Sequence, residues 1–268
     1  MRLTKEEQIL LQHFNDMIQT AYQRSIPVFS HFCSLTELEL AYRALEAFYG
    51  VMIQKGVQYE LYGGYPDAER QIICFLPENG YSVQNSAFPV SCVQIAPVNK
   101  RFCDTLTHRD FLGTIMNLGI TRDQIGDILV KKEKQGNNQV CVGYVFCKAD
   151  KTDLLLSITR MKHTTVTTKE VAMEQISWEP EWEDIIGSVS SFRIDVIIAL
   201  AIRASRSQVL ELIQSGNVFL NGRCCTENAK KLNEGDIFSI RGYGKFLFEK
   251  AYAISKKGRY HITVKKYI

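Results

Sequence analysis

The segment Ser205–Arg223 constrains this chain more tightly than any other stretch. It reads Ser-Arg-Ser-Gln-Val-Leu-Glu-Leu-Ile-Gln-Ser-Gly-Asn-Val-Phe-Leu-Asn-Gly-Arg, a helix with its start and stop signals, then a strand and a turn. Ser205 with Gln208 three residues on has the form of a capping box, in which the hydroxyl accepts the third helical amide and the glutamine reaches back. Val209, Leu212 and Ile213 recur at helical spacing, so one face is buried. Gly216 stands just past them, where a left-handed closing residue needs no side chain. Val218–Leu220 reads as a short strand, and Asn221-Gly222 is the strongest short hairpin signal. Upstream, residues 192–202 spell a second helix with Ile194, Ile197, Ile198 and Ala201 on one stripe. Arg203 and Ala204 link the two helices.

Arg206 is out of place in that scheme. A cation in the first turn faces the positive end of the helix dipole, at a cost of a few tenths to about 1 kcal/mol. A bound phosphate reverses the sign, because helix-start amides together with an arginine form an anion site. The charge distribution points the same way. From Ser188 onward there are 14 Lys/Arg against 6 Asp/Glu, a charge of +8, while residues 1–187 hold 18 against 23, a charge of −5. A basic small domain on an acidic body is the electrostatic footprint of a nucleic-acid-binding module. A membrane-surface helix would want Trp or Phe opposite a lysine-rich face, and both Trp178 and Trp182 lie outside the basic segment. The expected RNA-contact set is Arg193, Arg203, Ser205, Arg206, Ser207, Gln208, Asn221, Arg223, Lys230, Lys231, Arg241 and Lys245. Lys256-Lys257 is read as a solvated turn.

Phe192-Arg-Ile-Asp, Ser205-Arg206-Ser207 and Gly216-x-Val218-x-Leu220-Asn221-Gly222 together resemble the RNA-binding domain first described in small-subunit ribosomal protein four. Ile194 stands where leucine is usual there, and Gln208 where lysine or alanine is common. Two further marks lie upstream: Gly63-Gly64-Tyr65-x-x-Ala68-Glu69-Arg70, and Leu106-Thr107-His108-Arg109-Asp110-Phe111-Leu112-Gly113 running on to Ile125-Gly126-Asp127-Ile128-Leu129. With the basic domain they resemble the bacterial YlmH family across nearly the whole chain. That resemblance implies a non-enzymatic, cytoplasmic, ribosome-associated factor acting on rRNA and tRNA at the large subunit during rescue of stalled translation. A monomer off the ribosome is expected, with no cofactor and no membrane partner.

The expected fold class is α+β with three small domains. Residues 1–80 form an amino-terminal α/β unit with helices over 6–25 and 36–54 and strands over 57–61 and 71–76. Residues 81–177 form a central RNA-recognition-like, ferredoxin-like sandwich. Its elements are strands at 87–97, 127–130, 139–147 and 164–171, helices at 109–118 and 150–161, and a polar loop at 131–138. An acidic linker, residues 178–187, leads to the RNA-binding domain, 188–268. The 268 residues, 46% of them hydrophobic, supply normal cores, and no run of eighteen apolar residues appears. The first residues show no signal-peptide apolar region. Eight cysteines form no Cys-x-x-Cys pair and five histidines show no ligand spacing, so reduced thiols and no metal are expected.

His108-Arg109-Asp110 invites an enzymatic reading. A kinase catalytic loop needs asparagine five residues after the aspartate, and that position is Ile115. Pseudouridine synthases, which often carry the same RNA-binding domain, use an Arg-x-Asp element, whereas here arginine and aspartate are adjacent. Thr107 and Asp110 suit a helix cap, and His108 and Arg109 a second RNA contact. The alternatives to an RNA-binding factor are an RNA-modifying enzyme using Asp110 and a protein-interaction scaffold docking through the acidic half.

Overall fold

The computed structural model describes residues 3–78, 82–135, 138–172, 176, 180–254 and 258–268. The chain divides into two compact units, 1–177 and 178–268, and it is of mixed helix and strand, α+β. Lys256, Lys257 and Trp178 lie outside the described residues.

The first unit opens with α1 (Lys5–Arg24), β1 (Val28–Cys33), α2 (Leu35–Tyr49), β2 (Tyr59–Tyr62) and β3 (Gln71–Phe75). Both helices start in capping boxes, Thr4 with Glu7 and Ser34 with Glu37. The three strands pair antiparallel in the order β1-β3-β2. Central β3 is buried on both faces: Ile73 and Phe75 pack with Phe14, Ile18, Leu38 and Leu45 of the helices, and Ile72 and Cys74 with Phe32 and Phe88. Nothing in the sequence pattern marks Val28–Cys33 as a strand, because a bulge between Phe29 and Phe32 breaks its alternation. There the Ser30 hydroxyl accepts the Ile73 amide at 3.0 Å in place of a ladder bond. Helix α2 stops at Tyr49, not near residue 54. Gly50 turns left-handed at φ 64° and caps onto the Glu46 carbonyl, which leaves Val51 on the surface rather than on the helix's apolar side.

The same unit continues with β4 (Val90–Pro97), α3 (His108–Asn117), β5 (Ile125–Gln135), β6 (Asn138–Lys148), α4 (Thr152–Leu156), β7 (Arg160–Met161) and β8 (Thr164–Glu170). The sheet is antiparallel in the order β5-β6-β4-β8-β7, a β-α-β-β-α-β chain path with a short extra strand. Phe111 and Ile115 of α3 and Leu155 of α4 close its core against Val93, Ile95, Val145 and Val166. Two expectations are corrected. Lys131–Gln135 and Asn138 are not a loop but continue the β5–β6 ladder, with Lys131, Lys132 and Glu133 opposite the buried Val142, Cys141 and Val140; Gly136 and Asn137 are outside the described residues. Residues 150–161 are not one helix: α4 ends at Leu156, and Met161 pairs with Thr164 across a two-residue turn with Lys162 at φ 51°.

The second unit comprises β9 (Trp182–Val189), α5 (Ile194–Ala201), α6 (Arg206–Gln214), β10 (Val218–Leu220), β11 (Arg223–Cys224), β12 (Ile237–Ile240), β13 (Gly244–Ile254) and β14 (Tyr260–Tyr267). Its six strands run β11-β10-β12-β13-β14-β9. The acidic stretch expected to be a linker is therefore largely an edge strand from Trp182 onward. Glu183 faces Lys266, Asp184 faces Lys265 and Trp182 faces Tyr267, opposite charges and an edge-on aromatic pair at 5.3 Å that favour pairing. A Cβ on Gly187 would lie 2.4 Å from a Leu200 methyl, so a larger residue there would push the Leu200 side chain aside. The helical pair covers the other strands through Ile194, Ile197, Ile198, Val209 and Ile213, packed on Phe238, Phe246, Phe248, Ile262 and Val264.

Candidate nucleic-acid interface

Ser205 starts α6 as foreseen. Its hydroxyl accepts the Gln208 amide at 3.4 Å, and Gln208 Oε1 accepts from the Ser205 amide and hydroxyl at 2.9 Å each. These two side chains are thereby consumed by the cap. Arg206, the first helical residue, is exposed and has no partner for its guanidinium among the described residues. Arg203 is exposed beside it, held in the left-handed region at φ 52° by the tight link between helices. Gly216 closes α6 at φ 73°, and Asn221 at φ 48° with Gly222 at φ 81° makes the hairpin turn that pairs Leu220 with Arg223.

The remaining candidates divide among other places. Arg193 gives Nε and Nη2 to the two carboxylate oxygens of Asp195 at 3.0 and 2.8 Å, and Asp195 is 5% exposed. That fork ties one edge of the guanidinium to the start of α5, while the side chain stays 44% exposed. Lys230 and Lys231 are exposed beside it: the Lys230 carbonyl accepts the Ile194 amide at 2.8 Å, and Lys231 bridges Arg193. They stand at the opposite end of α5 from Arg203 and Arg206, about 12 Å away at the rise of an α-helix. Asn221 serves the fold, donating to Asp236 and accepting from the Ile237 amide, both at 2.9 Å. Arg223 is half-buried, Arg241 is exposed in the β12–β13 turn, and Lys245 Nζ lies 5.6 Å from the centre of the Tyr267 ring. Arg203 and Arg206 thus meet at one corner with both guanidiniums exposed and without a partner among the described residues, beside Ser207, whose hydroxyl lies 3.0 Å from that of Ser205.

In the first unit, Asp110 completes a capping box with Thr107 and pairs with Lys162 at 2.7 Å. The Lys162 ammonium, foremost, holds its carboxyl down at about 2. An aspartate engaged in this way is a cap and an ion pair. His108, next to it, has its pKa lowered first by partial burial and then by the Arg122 guanidinium; Arg109 is exposed. Burial pushes the Cys33, Cys74 and Cys147 thiols up to about 12, which leaves them inert at neutral pH. Among the described residues no three metal-ligating side chains converge, and no described helix is long and apolar enough to cross a membrane.

The two upstream sequence marks meet each other. Tyr65 OH, the Glu69 amide and the Arg70 amide all donate to the Asp127 carboxylate, at 2.9, 2.7 and 3.2 Å. Tyr65 stacks on Phe146 at 5.1 Å between centroids. Gly64, at φ 103°, passes so close that a Cβ would stand 2.2 Å from the Phe146 ring; one on Gly126 would stand 2.7 Å from Phe32. The Gly-Gly-Tyr loop is therefore a clasp between the first sheet and the second. Arg70 and Arg122 lie in this seam, and neither was singled out from sequence as a contact; Arg70 stands inside the quoted motif, whereas nothing local marks Arg122.

Residues 84–175 match the family described as the putative RNA-binding domain in YlmH, and residues 192–238 match the S4 domain. The chain is 26% identical over 209 residues to ribosome-associated protein quality control protein P2 of Bacillus subtilis, covering 76% of each. Among solved structures, the cell division protein ylmH from Streptococcus pneumoniae overlaps 66% of this chain and 98% of its own, at 20% identity and a TM-score of 0.47. Both domains in this order, and a relative aligned across three quarters of its length, support the YlmH family.

Proposed function

We propose that this protein is a non-enzymatic RNA-binding factor of the ribosome, and that the corner of Arg203, Arg206 and Ser207 grips RNA phosphates. One observation carries the reading: Arg206 stands at the amino end of a capped helix, against the helix dipole, with no carboxylate to neutralise it among the described residues. A backbone phosphate resolves that arrangement, and the +8 charge of residues 188–268 supplies the long-range attraction. The family match over 84–175 and the quality-control relative support RNA and the ribosome as partners. We extend the reading to the large subunit, to tRNA and to rescue of stalled translation in the cytoplasm. The β-α-β-β-α-β path and strand order of the middle sheet support a central RNA-recognition-like part between the amino-terminal sheet and the S4 domain. The engagement of Asp110 by Thr107 and Lys162 disfavours the RNA-modifying alternative.

The test is ribosome co-sedimentation across a salt series with Arg206→Ala combined with Arg203→Gln. Each lost phosphate contact lowers the slope of log affinity against log salt by about 0.7 to 0.9, so the double variant binds more weakly and with a slope shallower by about 1.5. An unchanged slope removes the assignment.

A further inference from the structure

We infer that Arg70 and Arg122 form a second oxyanion site, in the first unit, that takes a phosphate of the RNA backbone; this rests on the RNA-binding reading above. Both guanidiniums donate to one oxygen, the Ile125 carbonyl, Arg70 through Nε at 3.0 Å and Arg122 through Nη1 at 3.1 Å. Arg70 Nη2 also reaches the Phe32 and Arg122 carbonyls at 2.9 and 3.1 Å, and Arg122 Nη1 the Gly126 carbonyl at 2.9 Å. Two full positive charges are thus fixed on either side of a single oxygen, held by neutral carbonyls.

The carboxylates around them make their hydrogen bonds elsewhere and act on Arg122 only through space. Asp127 is taken by Tyr65 OH and two amides, and Glu37 by the amide and hydroxyl of Ser34. Glu69 also lies near, but neither arginine has an ion pair among the described residues. The crowding registers on Arg122, whose pKa burial first and Arg70 second push down to about 10, still protonated at neutral pH. His108 opens α3 close by and is lowered by the same guanidinium. What remains unspent is Arg122 Nε and Nη2 and Arg70 Nη1, on half-buried side chains that reach solvent. Planar forks of this kind match phosphate oxygens in a way a lysine does not. A carbonyl clasp needs only one cation, and the second is explained by an anion bridging both. Arg122 lies within residues 84–175, which favours RNA as the source of the phosphate.

The experiment follows the Arg122 Nε–Hε resonance of the isotope-labelled full chain, assigned by its loss in Arg122→Lys, during titration with a stem-loop RNA and, separately, with inorganic phosphate. The expected result is a saturable shift with RNA at the concentration where anisotropy reports binding, with phosphate competing only in large excess. RNA that binds while the resonance stays put overturns this site and leaves the RNA-binding reading intact. A shift with phosphate but none with RNA assigns the site to a free phosphate compound and overturns the RNA backbone as its ligand. No RNA binding at all removes both readings. Arg122→Gln, with folding checked by amide exchange across β5, lowers the salt slope of RNA affinity by about one; a native fold with an unchanged slope counts against the site.

Discussion

Replacing Asp127 by alanine tests the clasp that joins the two sheets of the first unit. The wild-type carboxylate accepts one hydroxyl and two backbone amides. A hydrogen bond to a charged group contributes about 1.5–3 kcal/mol, and a buried donor left without a partner costs about 1–3 kcal/mol. Asp127 is half-buried, so water can reach part of the gap, and the three bonds share one acceptor group and do not add fully. The expected loss is about 3–5 kcal/mol. Asp127→Asn keeps one oxygen for Tyr65 and Glu69 but turns an NH₂ toward the Arg70 amide, and should lose about half as much. Tyr65→Phe, removing one hydroxyl, should lose about 1.5 kcal/mol, the low end for a bond to a charged group at a half-buried site, with little loss of packing because the ring still stacks on Phe146. Urea unfolding gives the energies, and amide exchange at Glu69 and Arg70 shows whether the loss is local. If Asp127→Ala lies within 1 kcal/mol of wild type with both amides still protected, the clasp is not what holds this seam.

The remaining expectations are narrower. Gly64→Ala adds a methyl 2.2 Å from the Phe146 ring at φ 103° and should destabilise by about 2–5 kcal/mol by thermal unfolding, from overpacking and backbone strain together. Asn221→Ala breaks its bonds to Asp236 and Ile237 and should cost about 2 kcal/mol, while RNA salt slopes stay as they are; a changed slope would return Asn221 to the contact set. The Asp110 carboxyl sits at about 2 when folded against 3.8 unfolded. A group lowered by folding stabilises fully above its unfolded value, so this contribution is present above about pH 4 and is lost as the pH falls toward 2. Asp110→Asn should flatten that part of the acid limb.

Sequence legibility followed the range of the interactions. The α6 cap, the Gly216 stop and the Asn221-Gly222 turn were readable because each is settled within four residues, by a side chain reaching its own backbone or by a left-handed φ. Elements whose outcome lay far along the chain were misread. The acidic segment at Trp182–Val189 pairs with Lys265, Lys266 and Tyr267, some eighty residues away, and local polarity suggested a linker. The β5–β6 hairpin extends through charged residues of which Lys131, Lys132 and Glu133 face the buried Val142, Cys141 and Val140, and β1 hides behind a bulge filled by Ser30.

The same division holds for the candidate sites. Sequence alone determined that the second unit carries a basic helical pair with an arginine at a capped helix start, since charge, capping and spacing are local and additive. Only the tertiary structure decided which arginines keep their charge unspent. It drew Asn221 onto Asp236 and Ile237, left Arg206 open, and set Arg70 beside Arg122 on one carbonyl, whereas the Arg193–Asp195 pair is local, two residues apart. The availability of a charge depends on which partner the fold brings within about 3–4 Å, and that distance is fixed by packing rather than by neighbours in the chain.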